Sequence, residues 1–256
     1  MITFAITSCK RPSLLKRSVN SFLNSCLDLP LISQWICIDD NSPEDDREEM
    51  KRLYPFFEFI FKGEENKGHA RSMNILLKNI KNKYFFQTED DWVFLQKKTY
   101  LSDCLEILNE DERYGQVVMN RNYAEHADQV GVDLVGGFRK RTKISGKSYV
   151  THEFHKRGSE SEKEFWKNNP TARSSCYWPH FSLNPSLIKV DIFNKVGTFN
   201  EDVSHFEMEF AGRYTDKNYL TCFQDGIFVS HTGRSNADRD NKEIKNAYEL
   251  NGTKQF

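Results

Sequence analysis

Over residues 2–91, short apolar segments alternate with amphipathic ones, and this alternation confines the chain to a mostly parallel sheet with helices packed on its faces. Residues 2–7 read as a first strand. Ser13 has the residue type of a helix cap, and Leu15, Val19, Phe22 and Leu23 then recur at helical spacing. A strand over residues 35–39 leads into Ser42-Pro43-Glu44-Asp45, a helix start with a capping hydroxyl, proline at the first helical position and acids at the positive end of the dipole. Residues 57–61 give a third strand, 68–80 a third helix and 84–88 a fourth strand. The pattern is that of a Rossmann-like α/β unit.

The second half is less regular. A helix is expected over 100–108, strands near 116–119, 134–138 and 179–183, and a helix from Asn184-Pro185 to about Lys195. A helix over 207–217 and strands over 220–223 and 227–231 follow. Residues 139–175 have weak periodicity with ten basic and four acidic residues, so they are expected to be a mobile segment or lid. The expected organisation is one domain: a nucleotide-binding half over 1–95, an acceptor-side half over 96–231 and a polar, mobile tail over 232–256.

Composition narrows the partners. Thirty-six basic residues against 37 acidic ones leave no bulk field to attract nucleic acid, so an anionic ligand must be held by local groups. A hydrophobic share of 38% with an aromatic share of 13% assigns much of the core to Phe and Tyr. The six cysteines show no metal-site spacing and read as reduced core thiols. No apolar run reaches membrane-spanning length and the start of the chain reads as a strand, from which a cytoplasmic location is expected.

The chemistry concentrates where strands end. Ligands of open α/β sheets bind outside the carboxyl ends of the strands, which is where Asp39-Asp40 and Glu89-Asp90-Asp91 fall. Three acids directly after an aromatic strand make no sense as core. Mn²⁺ or Mg²⁺ would relieve their repulsion, since these ions take one or two carboxylates together with substrate phosphates. Asp40 is placed to accept hydrogen bonds from a ribose or base, although Asp40 and Asn41 would equally serve a turn. Thr7, Ser8 and Arg11 in the first loop, and Lys67 and Arg71 at a helix start, offer donors to a base or diphosphate. Trp178 and His180 provide a surface for sugar stacking, with core packing as the alternative for Trp178.

These segments, taken in order, resemble a family 2 glycosyltransferase of the GT-A superfamily. The matching pieces are Thr7 to Pro12, Asp39-Asp40-Asn41-Ser42, Asn66-Lys67-Gly68 with Ala70-Arg71 and Asn74, Glu89-Asp90-Asp91 at the position of the Asp-x-Asp motif, Gly197-Thr198-Phe199-Asn200-Glu201, and Phe206 to Arg213. The resemblance implies a non-processive enzyme that passes a sugar, with inversion, from a nucleotide diphosphate, UDP favoured, to a glycan or other hydroxyl acceptor. It implies Asp40 on the nucleoside, Thr7 and Arg11 beside the base, and Asp91 on the metal with Asp90 or Glu89 in support. His231 matches a metal or diphosphate ligand of several such enzymes. Aligning on Arg213 makes Glu207 the general base, with Glu209 its rival. A nucleotidyltransferase would carry a glycine-rich loop after the first strand, which Thr7 to Pro12 lacks. A binding module without turnover would have no need of a base.

Overall fold

The computed structural model describes residues 1–120, 138–153, 155–156, 158–168, 170, 181–233 and 245–252. In chain order its elements are β1 (Ile2–Ser8), α1 (Pro12–Ser25), β2 (Ile32–Asp40), α2 (Glu44–Leu53), β3 (Glu58–Lys62), α3 (His69–Asn79), β4 (Tyr84–Glu89), β5 (Trp92–Phe94), α4 (Tyr100–Leu108), β6 (Tyr114–Val118), β7 (Phe138–Ile144), β8 (Lys147–Glu153), α5 (Glu160–Asn168), β9 (Ser186–Lys189), α6 (Asp191–Val196), α7 (Phe206–Asp216), β10 (Leu220–Gln224), β11 (Val229–His231) and α8 (Ala247–Leu250).

The main sheet has the order β3-β2-β1-β4-β9-β6-β10-β8-β7, and β5 pairs with β11 in a separate ribbon. Strands β3, β2, β1 and β4 are parallel, as the alternation of the first half requires. Strand β9 then enters antiparallel between β4 and β6 and joins the two halves into one sheet.

The period of two along each strand splits the core between the two faces. Phe4, Ile6 and Phe86 pack with Leu15, Val19 and Phe22 of α1 and with α4. Ala5, Ile36, Ile38 and Phe85 point the other way, onto Ala70, Met73 and Leu76 of α3 and Phe193, Phe210 and Tyr214 of α6 and α7. Aromatic rings do carry this core: Phe22 lies 4.5 Å from Phe4 and 5.4 Å from Phe86, and Phe210 lies 4.6 Å from Phe181 and 4.7 Å from Phe199. Each such ring, fully buried, contributes about 1.5–3 kcal/mol.

Several expectations are corrected. Helix α1 starts at Pro12, so Arg11 rather than Ser13 holds the cap position, and its side chain is free to reach elsewhere. Ser42 does not cap α2, because its hydroxyl donates to Asp39 while its backbone N–H donates to the same carboxylate at 2.9 Å. Residues 186–189, expected to be helical, form the central strand β9, and the helix starts only at Asp191. Residues 181–183 are not a strand. Within 139–175, the hairpin β7–β8 extends the sheet and α5 follows, so most of the described part is regular structure. Residues 245–252 of the polar tail include α8 and pack on the first loop. The strand expected over 134–137 lies outside the described residues. Among the described residues no helix is long and apolar enough to cross a membrane.

Candidate active site

Parallel register builds the site. Ser8 of β1 lies opposite Asp39 of β2, and Thr7 opposite Glu89 of β4, so acids from both neighbours flank the first loop. The chain turns after Glu89 with the Asp90 N–H donating to Thr7 O at 3.0 Å, which seals Asp90 beneath that loop at 0% exposure. There its carboxylate accepts from Ser8 Oγ and Cys9 N, both at 3.2 Å, and from Arg11 Nε at 3.3 Å and Arg11 Nη2. Arg11 Nη1 also donates to Asp91 Oδ2 at 2.8 Å. Thr7, Ser8, Arg11, Asp90 and Asp91 are therefore brought together.

The β5–β11 ribbon supplies the other side. It sets His231 opposite Trp92, one residue beyond Asp91, with His231 Nε2 3.4 Å from Asp91 Oδ2. Thr232 donates to Asp91 O from its N–H at 2.7 Å and from its hydroxyl at 3.1 Å. A β-carbon on Gly233 would lie 2.3 Å from Asp91 Oδ2, so the carboxylate occupies the space that only glycine leaves. Asp91 Oδ1 is buried and makes no hydrogen bond. An orphaned acceptor costs about 1–3 kcal/mol, more when charged, unless a ligand satisfies it.

The carboxylates titrate apart. Burial raises Asp90 to about 7, against the opposing charge of Arg11. Burial acts on Asp91 as well, but the hydrogen bond from His231 and the charge of Arg11 outweigh it and hold Asp91 at about 2. Glu89 is pushed well above the carboxylate range by burial and then by Asp91 and Glu207. It faces His69, whose Nε2 lies 3.4 Å from Glu89 Oε1 and which burial lowers to about 4, leaving the ring neutral at pH 7. Of the expected metal set, Asp91 and His231 face one another, whereas Glu89 faces His69. Among the described residues no three His, Cys, Asp or Glu side chains group to hold a metal.

At the end of β2 the two aspartates divide their roles. Asp39 is fully buried and braces Ser42 and Arg47, which makes it structural. Asp40 accepts from Lys62 Nζ at 2.9 Å and from the Gly68 N–H at 3.0 Å. Gly68 reaches Asp40 with φ 125°, a backbone conformation that glycine tolerates and other residues rarely adopt. Lys67 pairs with Glu64, and Arg71 donates to Glu201 Oε2 at 2.8 Å and Glu65 O at 3.1 Å. Both side chains expected as diphosphate donors meet these neighbours in this structure.

Helix α7 settles the geometry of its two glutamates. Glu207 Oε1 accepts from the Leu183 N–H at 2.6 Å; burial raises its pKa, and its charge reaches Glu89. Glu209 is turned to Arg213, accepting at 2.6 and 2.8 Å one helical turn away. Trp178 and His180, and with them the expected stacking surface, lie outside the described residues. Sequence reasoning missed His69, Lys62, Gly233 and Tyr248. The first two look like ordinary surface residues until β3 and α3 close over Asp40, and the last two lie in a stretch whose polarity reads as tail.

No curated protein sequence matches this chain. Among solved structures, the mannosyltransferase PcManGT from Pyrobaculum calidifontis, in complex with GDP-Man and Mn²⁺, superposes with a TM-score of 0.60 at 12% identity, over 92% of this chain and 57% of that one. TarS 1-349 of S. aureus gives 0.53 at 12% identity, over 88% and 58%, and GalNAc-T7 with UDP, GalNAc and Mn²⁺ gives 0.57 at 13%, over 92% and 44%. The chain therefore spans less than two thirds of each of these neighbours, with which it shares the GT-A fold. The profile described as glycosyl transferase family 2 matches residues 3–184, from β1 through the acids at the end of β4 to the segment that meets Glu207. With that match over most of its length, the chain belongs to glycosyl transferase family 2.

Proposed function

We propose that this protein transfers a sugar from a nucleotide diphosphate to an acceptor hydroxyl, with inversion, and that the transfer depends on Mn²⁺ or Mg²⁺. The observation that carries the metal reading is Asp91: one carboxylate oxygen is orphaned in a buried site, the other lies 3.4 Å from a histidine nitrogen, and glycine clears the space. Two protein ligands suit an ion whose remaining positions go to diphosphate oxygens and water. When bound, the cation supplies electrostatic stabilisation of the charge that builds on the leaving diphosphate.

The chain's own residues account for the rest. Asp40, fixed by Lys62 and Gly68, accepts from the nucleoside. Asp90, tied to Ser8, Cys9 and Arg11, holds the first loop against the end of β4. Glu207 takes the proton of the attacking hydroxyl, and its raised pKa makes it a stronger base than an exposed glutamate. Cys9 plays no nucleophilic part, because burial and then the charges of Asp40 and Asp90 raise its thiol to about 12.

A donor screen tests this reading. The protein is incubated with Mn²⁺ and UDP-, GDP- or dTDP-sugars, and release of the nucleotide diphosphate is followed. Metal-dependent release from one donor, abolished in Asp91→Ala, is the expected result. If no donor is turned over and none stabilises the protein thermally, the assignment is wrong.

A further inference from the structure

Where irregular backbone runs past the end of a ladder, its N–H and C=O groups need partners from elsewhere. The segment 116–120, in β6 and just beyond it, supplies them twice, with buried amide side chains that reach separate parts of the site. Gln116 is fully buried and its primary amide is used on every side: Nε2 donates to Ser182 O at 2.5 Å and to Ser186 Oγ at 2.9 Å, while Oε1 accepts from the Ser182 N–H at 3.2 Å and from Thr221 Oγ1 at 3.1 Å. The Ser182 backbone is thus bonded at both its groups as a neighbouring strand would bond it, although residues 181–183 are not a strand. The Met119 N–H donates to Pro185 O at 2.9 Å and ties down the far end of the same stretch. Between those ties lies Leu183, whose N–H meets Glu207 Oε1 at 2.6 Å.

Asn120 does the same on another wall. Buried at 8% exposure, it accepts at Oδ1 from the Phe228 N–H at 2.8 Å and the Val229 N–H at 3.0 Å, and donates from Nδ2 to Val229 O at 2.8 Å. Val229 opens β11, which pairs with β5, so the amide serves this backbone as a further strand would. Beyond it in the same strand, His231 Nε2 stands 3.4 Å from Asp91 Oδ2, and Thr232 then holds Asp91 O through its N–H and hydroxyl. In both places a planar amide, donor on one arm and acceptor on the other, fixes a stretch of backbone and with it the group that this stretch presents to the site.

We infer that the segment 116–120 is the spacer of the site: Gln116 is a positioning residue for the base Glu207, acting through Ser182 and Leu183, and Asn120 is one for the metal ligand His231, acting through Val229. This rests on the glycosyltransferase reading above. The two amides leave from one segment but end on different groups, so their losses are felt separately. Without Gln116 the base loses its register while the cation site stands; without Asn120 the ribbon that faces Asp91 loosens while the base keeps its partner.

Gln116→Leu and Asn120→Leu, made in the full chain, separate these effects. Mn²⁺ affinity is read by electron paramagnetic resonance, alone and beside UDP or GDP; amide hydrogen exchange is followed at 228–232 in the unliganded protein; and kcat and KM are taken for release of nucleotide diphosphate from UDP-glucose, UDP-N-acetylglucosamine or GDP-mannose. Gln116→Leu should lower kcat about tenfold or more, with KM, Mn²⁺ affinity and exchange at 228–232 within about twofold of wild type. Asn120→Leu should weaken Mn²⁺ about tenfold or more and speed exchange severalfold at Thr232 as well as at Phe228 and Val229. Should either variant not fold, Gln116→Glu and Asn120→Asp, which keep the shape and the accepting oxygen and lose the donors, give the same comparison. Mn²⁺ affinity lost in both variants or in neither, or exchange that quickens at 228–229 and not at Thr232, overturns the inference, as does a fall in melting temperature with kcat and Mn²⁺ affinity unchanged. A wild-type protein that binds no Mn²⁺ under any of these conditions and turns over no donor removes the glycosyltransferase reading itself, a case that the wild-type measurements alone identify.

Discussion

Replacing Arg11 by methionine keeps most of the side-chain volume and removes the charge between Asp90 and Asp91. The guanidinium is 11% exposed, Asp90 is fully buried and Asp91 nearly so. Deleting one partner of a buried pair typically costs about 3–5 kcal/mol, because the remaining charges stay desolvated. In a chain of this size 1 kcal/mol corresponds to roughly 2–4 °C, so the melting temperature should fall by about 6–20 °C. Part of the loss is recoverable. In wild type Arg11 already compensates the carboxylates, whereas in Arg11→Met only His231 and a divalent cation would remain to do so. A ligand present at a hundred times its dissociation constant stabilises by about 2.7 kcal/mol. Thermal melts of both proteins with and without Mn²⁺ should therefore show the larger metal-induced rise in the variant. Equal rises, or a variant that melts within about 2 °C of wild type, would refute the claim that Arg11 and the metal answer the same charges.

Glu207→Gln should lower transfer by about 10²–10⁴-fold while leaving nucleotide binding intact, whereas Glu209→Gln should leave turnover unchanged and cost only the ~0.2–1 kcal/mol of a partly exposed ion pair; steady-state rates beside melting curves separate the two. Because burial raises the folded-state pKa of Glu207, the base loses its charge as pH falls through a value above the usual glutamate range, so the acidic limb of the kcat/KM profile should lie above that of an exposed glutamate and vanish in Glu207→Gln. Gly233→Ala forces a methyl group against Asp91 Oδ2 and should abolish Mn²⁺-dependent release and thermal stabilisation by Mn²⁺, while circular dichroism shows a folded protein.

Much of the first half of the fold was legible because its elements follow local rules. The apolar stripe of α3 and the aromatic run of β4 have no competing reading, and a parallel sheet then delivers Asp40, Asp90 and Asp91 to one edge. Where pairing decides, sequence fell short. Ser186-Leu187-Ile188-Lys189 is too short for its period to tell strand from helix, and only insertion between β4 and β6 makes it a strand. The hairpin β7–β8 hides under charge, since Lys140, Arg141 and Lys143 are exposed on an edge strand. Its turn signal was nevertheless present: Ser145 and Gly146 both adopt positive φ, 48° and 78°, as a two-residue hairpin turn demands. The carboxylates at the strand ends were legible by type, but the separate contacts each of them makes were not. Asp39 and Asp40 are adjacent and chemically identical, and only their partners separate them: Ser42 and Arg47 for Asp39, Lys62 and Gly68 for Asp40. Glu207 and Glu209 differ in the same way, by what lies one turn further along the helix.

The ribbon of β5 and β11 joins residues 135 to 139 positions apart, and this sets an order of events during synthesis. When β1 to β4 have left the ribosome, Asp91 exists but lacks His231, the two donors of Thr232 and the confining Gly233. Domains assemble broadly from the N-terminus as they emerge, and contacts of such separation close last. A nascent chain can therefore already tie Asp90 and Asp91 to the first loop through Arg11, but the far wall around Asp91 appears only when residues 229–233 arrive. The surroundings of Asp91 are in that sense complete only when a segment some 140 residues further along the chain has been made and has folded back.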